Sequence, residues 1–153
     1  MLEFPHMIIG ATIATKIGNP FLAFPIAFVS NFLLDLIPHW NPHLNTEMKK
    51  YGHVTRKTTI ICLIDGSASF IVGTFLALRF WPDIERVAIV FGAIFLAVIA
   101  DLSEAPYFFL GARSKYFERI IAFQKRLQFN VPVIPGIIVQ IVFLVVCFWI
   151  LFS

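Results

Sequence analysis

Apolar residues run along this chain in long unbroken tracts rather than in alternation with polar ones. Four stretches, residues 20–38, 58–80, 87–110 and 131–152, are almost wholly apolar. Each has the length of about 20 residues that a helix needs to cross the hydrocarbon core of a bilayer. A fifth stretch, 7–17, is too short to cross unaided and predicts a short helix or a re-entrant segment. No stretch keeps a strict two-residue period, and backbone at membrane depth must satisfy its own hydrogen bonds, so helices are expected rather than a barrel. The predicted fold is all-α: a polytopic transmembrane bundle of four spanning helices plus the short N-terminal segment, forming one integral membrane domain over residues 1–153.

Composition supports lipid as the solvent. Of the 153 residues, 59% are hydrophobic and 14% charged, 18 are Phe, and the mean hydropathy is +0.85. A soluble domain is nearer half apolar and a quarter charged, and a globule this small must expose too many residues to hide so much hydrocarbon. A secreted disulfide scaffold, a disordered chain and an ordinary cytosolic enzyme are thereby excluded. Cys62 and Cys147 lie inside apolar tracts and read as packing residues. The first six residues carry neither a basic run nor a small-residue cleavage site, so no secretory signal is expected.

The net charge of +3 is too small to argue for nucleic acid, and none is expected as a partner. The position of the charges is more informative. Lys49, Lys50, Arg56 and Lys57 lie between the first and second spanning tracts; Arg113, Lys115, Arg119, Lys125 and Arg126 lie between the third and fourth. Basic residues concentrate on the cytoplasmic side, which places both segments inside and the C-terminus on the non-cytoplasmic side. Phe117, Ile120, Ile121 and Leu127 recur at helical spacing within the second segment, predicting an in-plane interfacial helix whose cations meet anionic headgroups.

Asp35, Asp65, Asp101 and Glu104 fall within these tracts or at their inner ends, where an aspartate at the helix centre costs about 2.5–3.5 kcal/mol. No Lys or Arg lies deep enough to pair with them. Protonation, a water-filled cavity or a bound cation must compensate, and the common inner depth of the four favours the cation. His6 starts on the same side. Asn31, Asp35 and His39 fall at i, i+4 and i+8 and share a stripe if the helix continues that far; Asp101 and Glu104, at i and i+3, share another. Imidazole with carboxylate is the ligand set of zinc, manganese or iron.

The run Pro5-His6-Met-Ile-Ile-Gly10, followed by Asp35-Leu-Ile-Pro-His39, resembles the small membrane-bound metal-dependent hydrolases related to zinc-dependent phospholipase C proteins, over about the first 40 residues. The resemblance implies metal ligation by His6 and by the Asp35–His39 cluster. The order of the family's second cluster is changed here, and Tyr51-Gly-His53-Val-Thr-Arg56 stands where the family carries a later His-Arg pair and histidine.

The expectation is therefore a membrane-embedded hydrolase using a divalent metal, zinc before manganese or iron, on a lipid ester or phosphoester at the inner leaflet. His6, Asp35, His39, Asp65 and Asp101 are the candidate ligands and Glu104 the candidate general base. Lys49, Lys50, Arg56 and Lys57 are candidates for holding a phosphate headgroup. Two alternatives use the same residues: an ion-coupled transporter or channel subunit, and a non-catalytic helical module joined by interhelical hydrogen bonds.

Overall fold

A computed structural model describes all residues, 1–153. The chain is all helical, with eight helices and no β-strand: α1 (Glu3–Ile17), α2 (Pro20–Asp35), α3 (Leu44–Tyr51), α4 (Arg56–Leu78), α5 (Ile84–Leu102), α6 (Ala105–Phe109), α7 (Lys115–Leu127) and α8 (Val133–Phe152).

Two helices, not four, are long and apolar enough to cross a membrane: α4 with 23 residues and α8 with 20. At 1.5 Å per residue they extend about 34 and 30 Å, matching a hydrocarbon core of about 30 Å. The tract 20–38 yields only the 16 residues of α2, which stops at Asp35 ahead of Pro38. The tract 87–110 is broken in two. α5 ends at Leu102, and Pro106, which lacks an N–H, sits in the first turn of a new five-residue helix. Glu85, Arg86 and Asp101 also put charge at both ends of α5.

The short N-terminal helix is the centre of the bundle. α1 packs against α2, α4, α5 and α8, and Met7, Ile8, Ala11 and Ala14 join Val90, Ala93 and Ala97 of α5 in the main core cluster. Small residues make this approach possible. Gly10 on α1 faces Ala93 and Ala97 on α5, and a Cβ on Gly10 would stand 2.8 Å from the Ala93 carbonyl oxygen and 2.8 Å from the Ala97 Cβ. Because α1 is surrounded, its apolar residues show no single face, and its sequence resembles a fragment of a span rather than a core helix.

The peripheral helices turn apolar side chains outward. Phe21, Leu22 and Leu33 of α2, Leu63, Phe70 and Phe75 of α4, and Ile134, Val142 and Trp149 of α8 are all exposed. Only 22% and 17% of the most apolar stretches of α4 and α8 are buried, the reverse of what the core helix of a soluble globule shows. The helices alternate in direction. At one end, Arg86 reaches the Thr15 carbonyl and the Arg79 guanidinium lies over the Phe152 ring. At the other end lie the start of α1, the end of α2, the end of α5 and the start of α8, together with α3, α6 and α7.

α7 lies against that second end. Ile121 and Gln124 are buried, while Lys115, Arg119, Lys125 and Arg126 are exposed, as are Tyr116 and Phe123. Its outer surface thus mixes cations with aromatic rings.

Candidate functional site

Four of the sequence-predicted residues meet at the polar end of the bundle. His6 arrives on the first turns of α1, Asp35 on the last residue of α2, His39 on the loop that follows, and Asp101 near the end of α5. His6 Nε2 stands 3.5 Å from an Asp35 carboxylate oxygen and 3.6 Å from one of Asp101; His39 Nε2 stands 3.6 Å from the same Asp35 oxygen. Asp101 is 15% exposed by its side chain, and the other three are sealed from solvent.

His39 does not ride on α2. The helix ends four residues earlier, so the predicted stripe Asn31–Asp35–His39 is cut after Asp35. The loop returns the imidazole to the carboxylate because the segment between α7 and α8 clamps it from outside. The His39 N–H donates to the Phe129 carbonyl at 3.1 Å, the Val131 N–H to the His39 carbonyl at 2.9 Å, and the Phe129 N–H to the Asp35 carbonyl at 2.9 Å. A short parallel bridge pairs His39 with Asn130.

The imidazole orientations are informative. His39 Nδ1 lies 2.8 Å from the Ile37 carbonyl oxygen. A carbonyl only accepts, so Nδ1 carries the proton and Nε2 of the neutral ring presents its lone pair. That Nε2 has no hydrogen-bond partner, and neither has either nitrogen of His6. The Asp35 oxygen they face accepts from the Met1 amino group, and no group of three or more His, Cys, Asp or Glu is gathered closely enough to hold a metal ion as it stands.

Asp65 lies apart from the histidines. Its two carboxylate oxygens accept from the backbone N–H groups of Glu3 and Phe4, at 2.6 and 3.3 Å. These are first-turn donors of α1 with no partner inside the helix, so Asp65 acts as a cap supplied from α4. Sequence spacing has no means of showing that pairing.

Glu104 borders a cavity of about 540 Å³, which it lines together with Glu3, Asp65, Asp101, Cys62 and Gln128 among others. Its Oε1 is buried without a partner, as is Oε2 of Glu3. Glu3 precedes the apolar tract 7–17 and is not among the sequence-predicted site residues. Lys49, Lys50, Arg56 and Lys57 are exposed on α3 and the start of α4, and none of them lines this cavity. The cation that does approach it is Lys125, on the wall of a small adjoining pocket that it shares with Glu104 and Gln128.

Three further residues hold the site together. Asn31 Nδ2 donates to Asp101 at 2.7 Å and to the Ala97 carbonyl at 2.9 Å, tying α2 to α5. Gln140, buried on α8, accepts from the Leu2 N–H and donates to the Trp40 carbonyl. Gly136, one turn earlier, leaves room for the loop: a Cβ there would stand 2.3 Å from the Trp40 nitrogen. Gln140 is the only strongly polar side chain in the apolar run 133–152, a signal that was readable in the sequence.

At the loop face of the bundle, Glu47 accepts from the Thr55 N–H and hydroxyl and from the Thr58 hydroxyl, at 2.8, 3.1 and 2.6 Å. Burial acts to raise its pKa, but these hydrogen bonds outweigh it and hold the carboxyl below its ordinary value.

No family model matches the chain, and no curated protein or solved structure matches it either.

Proposed function

We propose that this chain is an integral membrane protein that acts as a metal-dependent hydrolase on a lipid ester or phosphoester, with His6, Asp35, His39 and Asp101 holding the metal. The observation that carries the reading is the bare Nε2 of His39 facing the Asp35 carboxylate. A lone pair and an anionic oxygen 3.6 Å apart, both sealed from water, call for a positive charge beside them; the Met1 ammonium already meets that Asp35 oxygen, and a metal ion would in addition give the bare Nε2 a partner. Two ligands at about 2.0–2.1 Å from a tetrahedral zinc stand about 3.3–3.4 Å apart; the pairwise separations of 3.5 and 3.6 Å here are slightly wider, so the four side chains would have to draw in to hold an ion. The Nδ1–H to carbonyl contact of His39 is also the outer hydrogen bond that metal-bound histidines commonly make.

A divalent cation held there supplies Lewis acidity and lowers the pKa of a nearby water. The chain's own residues supply the rest. Glu104 offers an unpartnered carboxylate oxygen on the cavity wall, suited to accept a proton from water. Lys125 sits where it can neutralise a phosphate at the mouth. Asp65 and Asn31 position the ligands, and Asp65 does so as the cap of α1 rather than as a ligand.

The membrane reading rests on the outward apolar faces of α4 and α8 and on the cations of α3 and α7 gathered at the site's end. The finer topology proposed has α1, α2 and α5 inserted alongside the two full-length spans, the site facing the cytoplasmic leaflet and the C-terminus on the other side.

Metal analysis of protein purified in detergent tests this reading. One transition metal per chain is expected, lost in His39→Ala and retained in Glu104→Gln, with Glu104→Gln lowering turnover of a lipid ester about 10²–10⁴-fold. A metal-free wild type that carries pH-dependent ion flux in vesicles would instead make these carboxylates a transport path.

A further inference from the structure

A second cavity, of about 310 Å³, runs between α4 and α5 and along the side of α1. Its character differs from that of the polar cavity. Apolar side chains, Met7, Phe70, Phe91, Ile94, Phe95 and Val98 among them, make up most of its wall, and Glu3 is its only charged residue. The two spaces are continuous in their lining: Glu3, Gly66 and Leu102 belong to both.

Gly66 stands at the junction. A Cβ built on it would meet nothing within 4 Å, so the space between the carboxylate-lined chamber and the groove is open beside it. Farther along α4, Gly73 keeps the wall low, with Met7 the nearest side chain at 3.3 Å. The groove also opens sideways to the surroundings, since Phe70 and Phe95 are both largely exposed.

Its length and direction identify the occupant. From Leu102, at the level of the site, the groove follows α5 back to Phe91, eleven residues or about 16 Å of helix rise. That is about half of a hydrocarbon core of 30 Å, the depth of one leaflet. A peptide would leave polar backbone groups unpaired in such a slot, whereas an alkyl chain has none. We propose that this groove holds one acyl chain of a membrane lipid, admitted sideways between α4 and α5, with the lipid headgroup in the polar cavity beside Asp101 and Glu104. The inference deepens the proposed function and rests on its placing of the site in one leaflet; it makes a long-chain lipid the substrate class and does not require hydrolysis.

The test is photolabelling that needs neither metal nor turnover. Wild-type protein and Asp101→Asn are reconstituted in phosphatidylcholine vesicles containing a trace of phosphatidylcholine with a diazirine near the end of one acyl chain, and labelled residues are mapped by mass spectrometry. Phe70 and Phe95 are expected to label several-fold more than the comparably exposed Val142 and Val145 on α8, in both proteins. Gly66→Trp, which fills the junction, should remove the excess, and Gly66→Ala should keep it. If Gly66→Trp does not fold, Phe95→Trp narrows the groove at an exposed position and should reduce the excess instead. Equal labelling of the groove and of α8, or an excess that persists when groove or junction is filled, would overturn the acyl-chain site. A groove that labels in a chain that proves metal-free and inactive would leave this inference standing while the hydrolase reading fell.

Discussion

Gln140 Nε2 donates a 2.9 Å hydrogen bond to the main-chain carbonyl of Trp40, one residue beyond His39, while its Oε1 accepts from the Leu2 N–H. One buried amide on the last helix thereby holds both segments that deliver the histidines: the loop carrying His39 and the start of the helix carrying His6.

Replacing Gln140 by Leu leaves these backbone groups without a partner, at about 1–3 kcal/mol for each buried group. Gly136→Ala should also destabilise, because the added methyl collides with backbone at Trp40, and overpacking typically costs about 1–3 kcal/mol. Gly66→Ala is the control, with open space around it and a gain of about 1 kcal/mol in helix propensity. Thermal melts in detergent should rank Gly66→Ala at or above wild type and the other two below it.

Chelation should separate a shared metal site from a set of independent polar contacts. A ligand present at about 100 times its Kd stabilises the fold that binds it by about 2.7 kcal/mol. Treating the wild type with a chelator should lower its Tm and leave Asp101→Asn almost unmoved. Equal shifts in the two proteins would disprove common ligation.

Topology is open to direct labelling. In a variant lacking Cys62 and Cys147, single cysteines at Lys50 and Lys115 should react with an impermeant maleimide only from the cytoplasmic side, and one at Asp83 only from the opposite side. Should Lys50 and Lys115 label from different faces, the proposed arrangement of α1, α2 and α5 within the membrane fails.

Glu47 supplies a pH dependence remote from the site. Its folded pKa lies below the ordinary 4.5, so the stabilisation is fully present above that value and is lost as pH falls through the folded pKa. Glu47→Gln should therefore be less stable than wild type at pH 7, and the gap should narrow as pH falls progressively below 4.5. A gap that stays constant as the pH is lowered to the acid limit of the folded protein would show that the hydrogen-bond geometry, not the charge, holds α3 to the start of α4.

Local chemistry made part of this protein legible in one dimension. Helical class follows from long apolar tracts with no two-residue period; tract length marks α4 and α8, but it equally marks residues 20–38 and 87–110, which do not form full-length spans. The amphipathic α7 is visible because its charged and apolar residues separate at helical spacing. His6, Asp35, His39 and Asp101 stood out because ionisable groups are rare in apolar runs and each needs compensation. The stop of α2 at Asp35 could have been read from Pro38, and the break after Leu102 from Glu104-Ala-Pro106.

Tertiary packing decided the rest. A helix surrounded on all sides has no polar face, so α1 reads as too short to cross although it is the pillar on which the others pack. Asp65 carries the same charge as Asp101, and only the position of the first turn of α1 makes one a helix cap and leaves the other beside His6. His39 returns to Asp35 through hydrogen bonds from residues 129–131, some ninety positions away along the chain. The sequence by itself determines which groups require a partner, because desolvation cost is a property of each residue. Which partner each one meets depends on how helices of unequal length pack, and that is a property of the folded chain alone.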